Sequence, residues 1–326
     1  MAILTLIEAV TQALDYELAH DKAVIVFGED VGKNGGVFRA TQGLQEKFGK
    51  DRVIDTPLAE NMISGLCVGM SAQGLKPVAE IQFMGFVYAA MDQIISHATR
   101  LRNRTQGRLS CPMVIRMPSG GGIRAPEHHS ESMEALFAHI PGLRVVMPST
   151  PAKAYGLLLA AIRDPDPVIF LEPERMYRKI KEEVPDTGIA LPLDTCFKVR
   201  IGQHITLVSW GAMMYETLAA ANTLSKEGIE CEVIDVATIK PLDMNTIIES
   251  VEKTGRCVII HEACRTGGVG AEIAAQLAEY ALSSLLAPIK RVTGYDAIMP
   301  LYRLEHEFIP TETRIIKTIK SVMEYA

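Results

Sequence analysis

The chain has no run of five or more lysines or arginines, no apolar stretch near the roughly 20 residues a membrane helix needs, and no Cys-x-x-Cys pair. The first absence, with a net charge of −6, leaves no footprint for a phosphate backbone, so nucleic-acid binding is not expected. The second excludes a membrane-spanning helix. The third argues against a zinc site or a disulfide framework: the six cysteines, at 67, 111, 196, 231, 257 and 264, lie far apart. Scattered free thiols point to a reducing compartment and a cytoplasmic protein. The stretch from Met1 to His20 lacks a basic leading segment and carries Glu8, Asp15 and Glu17 at helical spacing, which reads as an amphipathic helix and not an export signal. Gly-x-x-x-x-Gly-Lys is also missing, which removes a nucleotide triphosphatase reading. There is no short-period repeat or low-complexity tract.

What is present is ordinary globular composition: 326 residues, 48% of them hydrophobic, enough for two domains. Short β-branched runs alternate with helical segments. Strands are expected at 23–27, 52–55, 77–81, 113–116, 144–147 and 168–171, with helices at 5–19, 61–72, 86–103 and 152–163. Such alternation predicts a doubly wound, mostly parallel sheet covered by helices on both faces, with right-handed connections. A charged stretch from Glu174 to Glu183 and the turn-rich Val184 to Pro192 read as a linker. A second alternation follows, with strands at 205–209, 231–235, 257–261 and 289–292 and a closing helix near 313–324, predicting a second, smaller α/β domain. The expected division is a first domain over 1–178, a linker over 179–200 and a second domain over 201–326.

The segment Ile54-Asp-Thr-Pro-Leu-Ala-Glu60 delivers one carboxylate from a strand end into the start of an apolar helix. Thr56-Pro57 stops the strand, and Glu60 faces the edge where α/β sheets bind ligands. An acid in a first helical turn also complements the helix dipole, which is the plainer explanation of Glu60. Phe83, Phe86 and Tyr88 stand at the end of the next strand and the start of the next helix, where aromatics are commonly core residues. A glycine-rich stretch, Ser119-Gly-Gly-Gly122, precedes Glu127-His-His-Ser130. His128 and His129 are either surface residues or imidazoles presented for proton transfer. Thr266-Gly-Gly-Val-Gly270 misses the dinucleotide pattern because Ile273 stands at the third glycine position, so a tight strand-to-helix turn is expected. His261-Glu262, before it, could pair an acid with a base. Glu29 and Asp30 point in different directions, which favours loop hydrogen bonding or a subunit contact over metal binding.

Gly28-Glu-Asp-Val31, Asp55-Thr-Pro-Leu-Ala-Glu60, Ala79-Glu-Ile-Gln-Phe83, His129-Ser130, Pro141-Gly-Leu-Arg-Val145 and Ala161-Ile-Arg-Asp164 together resemble one family. It is the beta subunit of the thiamine-diphosphate-dependent decarboxylating component of 2-oxo acid dehydrogenase complexes. The likeness extends through Val233-Ile-Asp235, Ile239-Lys-Pro-Leu-Asp243 and Gly294-Tyr-Asp296. It implies a transketolase-like pyrimidine-binding domain followed by a transketolase-type C-terminal domain. The residue matching Glu60 would hydrogen-bond the aminopyrimidine ring nitrogen, favouring the imine tautomer that removes the thiazolium proton. Phe86 would pack on the pyrimidine, with Tyr88 close by. His129 matches the family histidine followed by serine and would handle protons as the acyl group passes to a lipoyl group.

The resemblance further implies a potassium site built largely from carbonyl oxygens at Met113, Ala161, Ile162, Asp164 and Asp166, although Pro165 and Asp166 depart from the family pattern. Neither Gly-Asp-Gly nor Asn-Asn, which hold the diphosphate through Mg²⁺ in thiamine enzymes, occurs in the chain. The implied assembly is therefore an alpha2-beta2 heterotetramer whose alpha subunit holds Mg²⁺ and the diphosphate, docked to a lipoyl-bearing acyltransferase core. Pyruvate and branched-chain 2-oxo acids both stay open as substrates. A noncatalytic assembly subunit and a stand-alone transketolase-like enzyme are the competing readings, the latter disfavoured by the missing diphosphate motif.

Overall fold

Thr5 starts the first helix with a reciprocal cap: its hydroxyl accepts from the Glu8 amide, and the Glu8 carboxylate accepts from the Thr5 amide at 2.8 Å. The helix, α1 (Leu6–His20), then buries a stripe of Leu6, Val10, Ala13, Leu14 and Leu18. The computed structural model describes residues 2–325 and falls into two compact units. One consists of the chain up to Ser119 with Leu136–Leu193; the other consists of Gly120–Ala135 with the chain from Asp194 onward.

In the first unit the strands are β1 (Ala2–Thr5), β2 (Val24–Gly28), β3 (Val53–Asp55), β4 (Lys76–Glu80), β5 (Val114–Ser119), β6 (Arg144–Val146), β7 (Val168–Pro173) and β8 (Lys181–Val184). The main sheet of this unit runs β6-β7-β5-β4-β2-β3, and every one of these pairs is parallel. Such strands are covered on both faces, which is why β2, β5 and β7 are buried at every position. The helices are α1, α2 (Leu44–Phe48), α3 (Glu60–Ala72), α4 (Leu101–Arg104), α5 (Glu134–Ala138), which crosses into this unit from the other, and α6 (Pro151–Arg163). From β2 the chain moves to β3 on one side and later returns to β4 on the other. The carboxyl ends of β2 and β4 are thus a topological switch point, where such sheets bind ligands.

Two features differ from the expected elements. The helix expected over 86–103 is a succession of 3₁₀ turn (Met84–Ala90), π turn (Gln93–His97), 3₁₀ turn (Ala98–Arg100) and α4. Val87, Ala90, Ile94 and Ala98 stay buried throughout, and the Ala89 carbonyl accepts a tertiary hydrogen bond from Asn61 Nδ2 at 3.1 Å, which periodicity does not encode. The stretch expected as linker contains β8, antiparallel to β1, and β9 (Phe197–Arg200). Its charged and turn-rich composition suits short edge strands as well as a connector.

The second unit has β9, β10 (Ile205–Ser209), β11 (Cys231–Asp235), β12 (Thr238–Lys240), β13 (Cys257–Ile260) and β14 (Lys290–Val292). Its sheet runs β14-β13-β10-β11-β9, parallel except at the β9 edge. Its helices are α7 (Met213–Ser225), α8 (Met244–Thr254), α9 (Val269–Tyr280), α10 (Glu305–Phe308) and α11 (Glu312–Met323). A core including Leu207, Val233, Val258, Leu224, Ile315 and Ile319 joins the sheet to α7 and α11. The switch point of this sheet lies at the ends of β10 and β13, which carry Trp210 and His261-Glu262. Among the described residues no helix is long and apolar enough to cross a membrane.

Candidate active site

Glu60 is the first residue of α3, five residues beyond the end of β3. Pro57 prevents β3 from continuing, and the Thr56 amide donates to the Gly28 carbonyl at 3.0 Å, which fastens this turn to the end of β2. The Asp55 carboxylate accepts from the amides of Gly32 at 2.6 Å and Lys33 at 3.1 Å, drawing the loop after β2 onto the same edge. Gly28 itself has φ 154°, and a Cβ there would come within 2.6 Å of the Glu80 carbonyl. Glycine is therefore required where β2 passes β4.

Glu29 follows directly on β2. Its pKa is raised by burial, then by the charges of Asp30 and Glu60. Phe86 and Tyr88 lie on the 3₁₀ turn that the Asn61–Ala89 hydrogen bond ties to the first turn of α3. Phe86 is half-buried and Tyr88 exposed. The first unit thus brings Glu60, Phe86 and Tyr88 to one edge of its sheet.

Phe86 is held from behind by a chain of contacts that sequence reasoning did not foresee. It meets Phe83 edge-on at 5.6 Å, Phe83 meets Phe38 at 5.5 Å, and Phe38 meets Tyr177 at 5.0 Å. The Tyr177 hydroxyl donates to Glu172 Oε2 at 2.6 Å, and Arg116 grips the same carboxylate through Nε at 2.7 Å and Nη2 at 2.8 Å. Arg116 also pairs with Glu80. All four polar side chains are buried, at positions on or just beyond β4, β5 and β7. Burial raises the pKa of Glu80, against the opposing pull of Arg116, and burial followed by the Glu172 charge raises that of Tyr177. The signal available in the sequence was a charged residue inside each of three otherwise apolar strands.

His128 and His129 sit on the 3₁₀ turn Glu127–His129, within the segment that clusters with the second unit; His128 is exposed and His129 half-buried. Trp210 donates from Nε1 to Glu134 Oε1 at 3.2 Å and stacks on the His261 ring at 5.2 Å. Burial pushes the Glu134 carboxyl up to about 7, and burial pushes the His261 imidazole down to about 4, helped by the Arg291 charge. Glycine at 268 and 270 is explained by this ring: a Cβ at Gly270 would lie 2.7 Å from His261 Nε2. The turn at 266–270 therefore closes over a histidine.

Ala161 and Ile162 lie in the last turn of α6 and Asp164 and Asp166 just beyond it, while Met113 stands immediately before β5 and accepts from the Val168 amide. The Asp164 carboxylate accepts from the Asp166 amide at 2.8 Å and pairs with Arg144 at 3.1 Å, while Asp166 pairs with Arg102 at 2.7 Å. The Met113 and Ala161 carbonyls each accept one backbone hydrogen bond, at 2.9 and 3.3 Å, and a carbonyl oxygen has a second lone pair for a cation. Among the described residues no three or more His, Cys, Asp or Glu side chains group to hold a metal ion.

Two α/β units in this order, each with a switch-point edge, define a transketolase-type protein. Residues 3–179 match the family model described as transketolase, pyrimidine binding domain, and residues 195–315 match transketolase, C-terminal domain. The fold also matches a solved split gene transketolase, an inactive beta4 tetramer, with a TM-score of 0.82 at 22% identity over 99% of each chain. The chain is 47% identical over 325 residues to the pyruvate dehydrogenase E1 component subunit beta of Bacillus subtilis (strain 168), covering 100% of both. It is 49% identical over 322 residues to the protein of that name from Acholeplasma laidlawii, covering 99% of this chain and 98% of the relative. The chain belongs to the family of pyruvate dehydrogenase E1 component beta subunits.

Proposed function

We propose that this chain is the beta subunit of a pyruvate dehydrogenase and supplies the pyrimidine-side half of a thiamine diphosphate site, with Glu60 as its essential acid. Glu60 beside Glu29, on an edge that also carries Phe86 and Tyr88, is the observation that carries this reading. When bound, thiamine diphosphate supplies a nucleophilic carbon and an electron sink for decarboxylation. The residues of this chain do the rest of the work on that side. The Glu60 carboxylate accepts a hydrogen bond from the ring nitrogen and thereby favours its protonated form. Phe86, braced by Phe83, offers a flat apolar face at little entropic cost.

In this reading His129 takes and gives protons while the acyl group passes to a lipoyl group on the acyltransferase core. The alpha partner in an alpha2-beta2 assembly holds the diphosphate and Mg²⁺. Carbonyl oxygens at Met113, Ala161, Ile162, Asp164 and Asp166 would form a structural potassium site, a reading that rests on the family resemblance. Pyruvate is preferred over branched 2-oxo acids because the similar chains are named for pyruvate. The test is a decarboxylation assay of the co-expressed alpha–beta pair with pyruvate against 2-oxoisovalerate, in the parent and in Glu60→Gln. Turnover of pyruvate that falls at least about 10²-fold in the variant is expected. Full activity in Glu60→Gln would favour an assembly role instead, and faster turnover of 2-oxoisovalerate would overturn the substrate.

A further inference from the structure

The loop that bears both histidines contributes little to its own shape. Between Ser119 and Glu127 it holds Gly120, Gly122 and Arg124 at φ 92°, 98° and 64°, left-handed conformations outside any helix or strand. The Gly120 amide closes it by donating to the Glu131 carbonyl at 2.8 Å, and the His129 and Ser130 amides donate to the Pro126 and Glu127 carbonyls at 3.0 Å. The amides of Gly121, Gly122 and Arg124 turn to two buried carboxylates, the first 141 residues beyond Gly121 and the second 183 beyond Gly122. Glu262, beyond the end of β13, accepts from the Gly121 amide at 2.5 Å and from the Ser132 hydroxyl at 3.2 Å. Glu305, the first residue of α10, accepts through Oε1 from the Gly122 amide at 2.6 Å and the Arg124 amide at 3.4 Å.

These contacts leave no room for alternatives at the loop's base. A Cβ at Gly120 would come within 2.9 Å of Glu262 Oε1, and one at Gly121 within 2.6 Å of Met299 Cε. These side-chain acceptors converge on a glycine-rich loop that carries three left-handed residues.

We infer that Glu262 and Glu305 are positioning residues for the acyl-transfer step: carboxylates of the C-terminal unit that set the loop on which His129 is presented. The inference rests on the proposed role of His129 and says how that histidine is aimed. A displacement of about 1 Å in such a group is enough to lower a rate about 10²-fold.

The experiment uses the co-expressed alpha–beta assembly and separates two partial reactions, pyruvate oxidation by an artificial electron acceptor and acylation of a free lipoyl domain. Glu305→Ala is expected to lower kcat for lipoyl acylation about 10²-fold while changing oxidation and the KM for pyruvate less than about twofold. Glu305→Gln, which keeps an acceptor oxygen for the Gly122 amide, should recover most of that loss, and Glu262→Gln tests the second carboxylate with little change of shape. In a His129→Asn background, Glu305→Ala should add less than about twofold, because the group it aims is gone. An equal fall in both partial reactions, or a full further loss in the His129→Asn background, would overturn the inference. A crippled His129→Asn with an unimpaired Glu305→Ala would overturn it alone. An unaffected His129→Asn would sink the histidine reading and this inference with it.

Discussion

The carboxyl of Glu134 gives the sharpest stability prediction. It is buried, hydrogen-bonded to Trp210 and close to the charge of Glu262, and its pKa is displaced from 4.5 to about 7. The folded protein therefore keeps a proton that the unfolded chain releases, and the stability tied to that proton is complete below pH 4.5 and lost as pH rises through about 7. At about 1.4 kcal/mol per pH unit, the displacement is worth up to about 3 kcal/mol. His261, stacked on the Trp210 ring, works in the opposite sense. Its imidazole is lowered from 6.5 to about 4, so its contribution is complete above pH 6.5 and lost as pH falls through about 4. The two slopes offset each other in the parent protein, and removing one exposes the other.

Glu134→Gln keeps the acceptor oxygen for Trp210 but cannot ionise. Any constant cost of the new amide is present at every pH, so the informative quantity is the change in the variant-minus-parent difference. That difference should move in favour of the variant by up to about 3 kcal/mol between pH 4.5 and pH 8. Trp210 is the only tryptophan in the chain, so its fluorescence during urea unfolding follows this neighbourhood without labels. A difference that stays constant across that range would refute the reasoning, because it would mean that Glu134 takes up no proton on folding.

Arg116→Met should destabilise the first unit by about 3–5 kcal/mol, since it leaves the Glu80 and Glu172 carboxylates buried without their guanidinium; calorimetry checks this. Arg116→Lys should lie between the two, because an ammonium cannot make the paired contact with Glu172. Gly270→Ala should lower the unfolding midpoint by about 1–3 kcal/mol equivalent through collision with His261, and a His261→Ala background should relieve most of it. Phe86→Leu should raise the thiamine diphosphate concentration needed for half-maximal activity of the alpha–beta pair while leaving the unfolding midpoint within about 1 kcal/mol.

The position of Glu60 was legible because each step is local: a β-branched strand, a proline that cannot extend it, and an apolar helix that must begin within a few residues. The parallel sheets were legible for the same reason, as apolar runs too short for helices recur between amphipathic segments. What local pattern could not supply was proximity across the fold. Glu29 and Glu60 meet only because β2 and β3 are neighbours after a long crossover. The Glu80, Arg116 and Glu172 cluster needs three strands placed side by side before its charges can be understood. The irregular turns from Met84 to Arg104 present the same buried residues a regular helix would, so periodicity alone does not distinguish them. His261 could be noticed beside Glu262, but its burial beneath the 266–270 turn depends on packing that no spacing reveals.

The staples on the histidine loop bear on how the protein is born. Gly121 emerges from the ribosome 141 residues ahead of Glu262, and Gly122 emerges 183 ahead of Glu305. At about 5–20 residues per second, roughly 10–40 seconds pass before the loop meets either carboxylate. Strands β1 to β8 are all synthesised before Glu262, so a chain stopped between those points would carry every strand of the first unit and still lack both carboxylates that accept from the Gly121 and Gly122 amides.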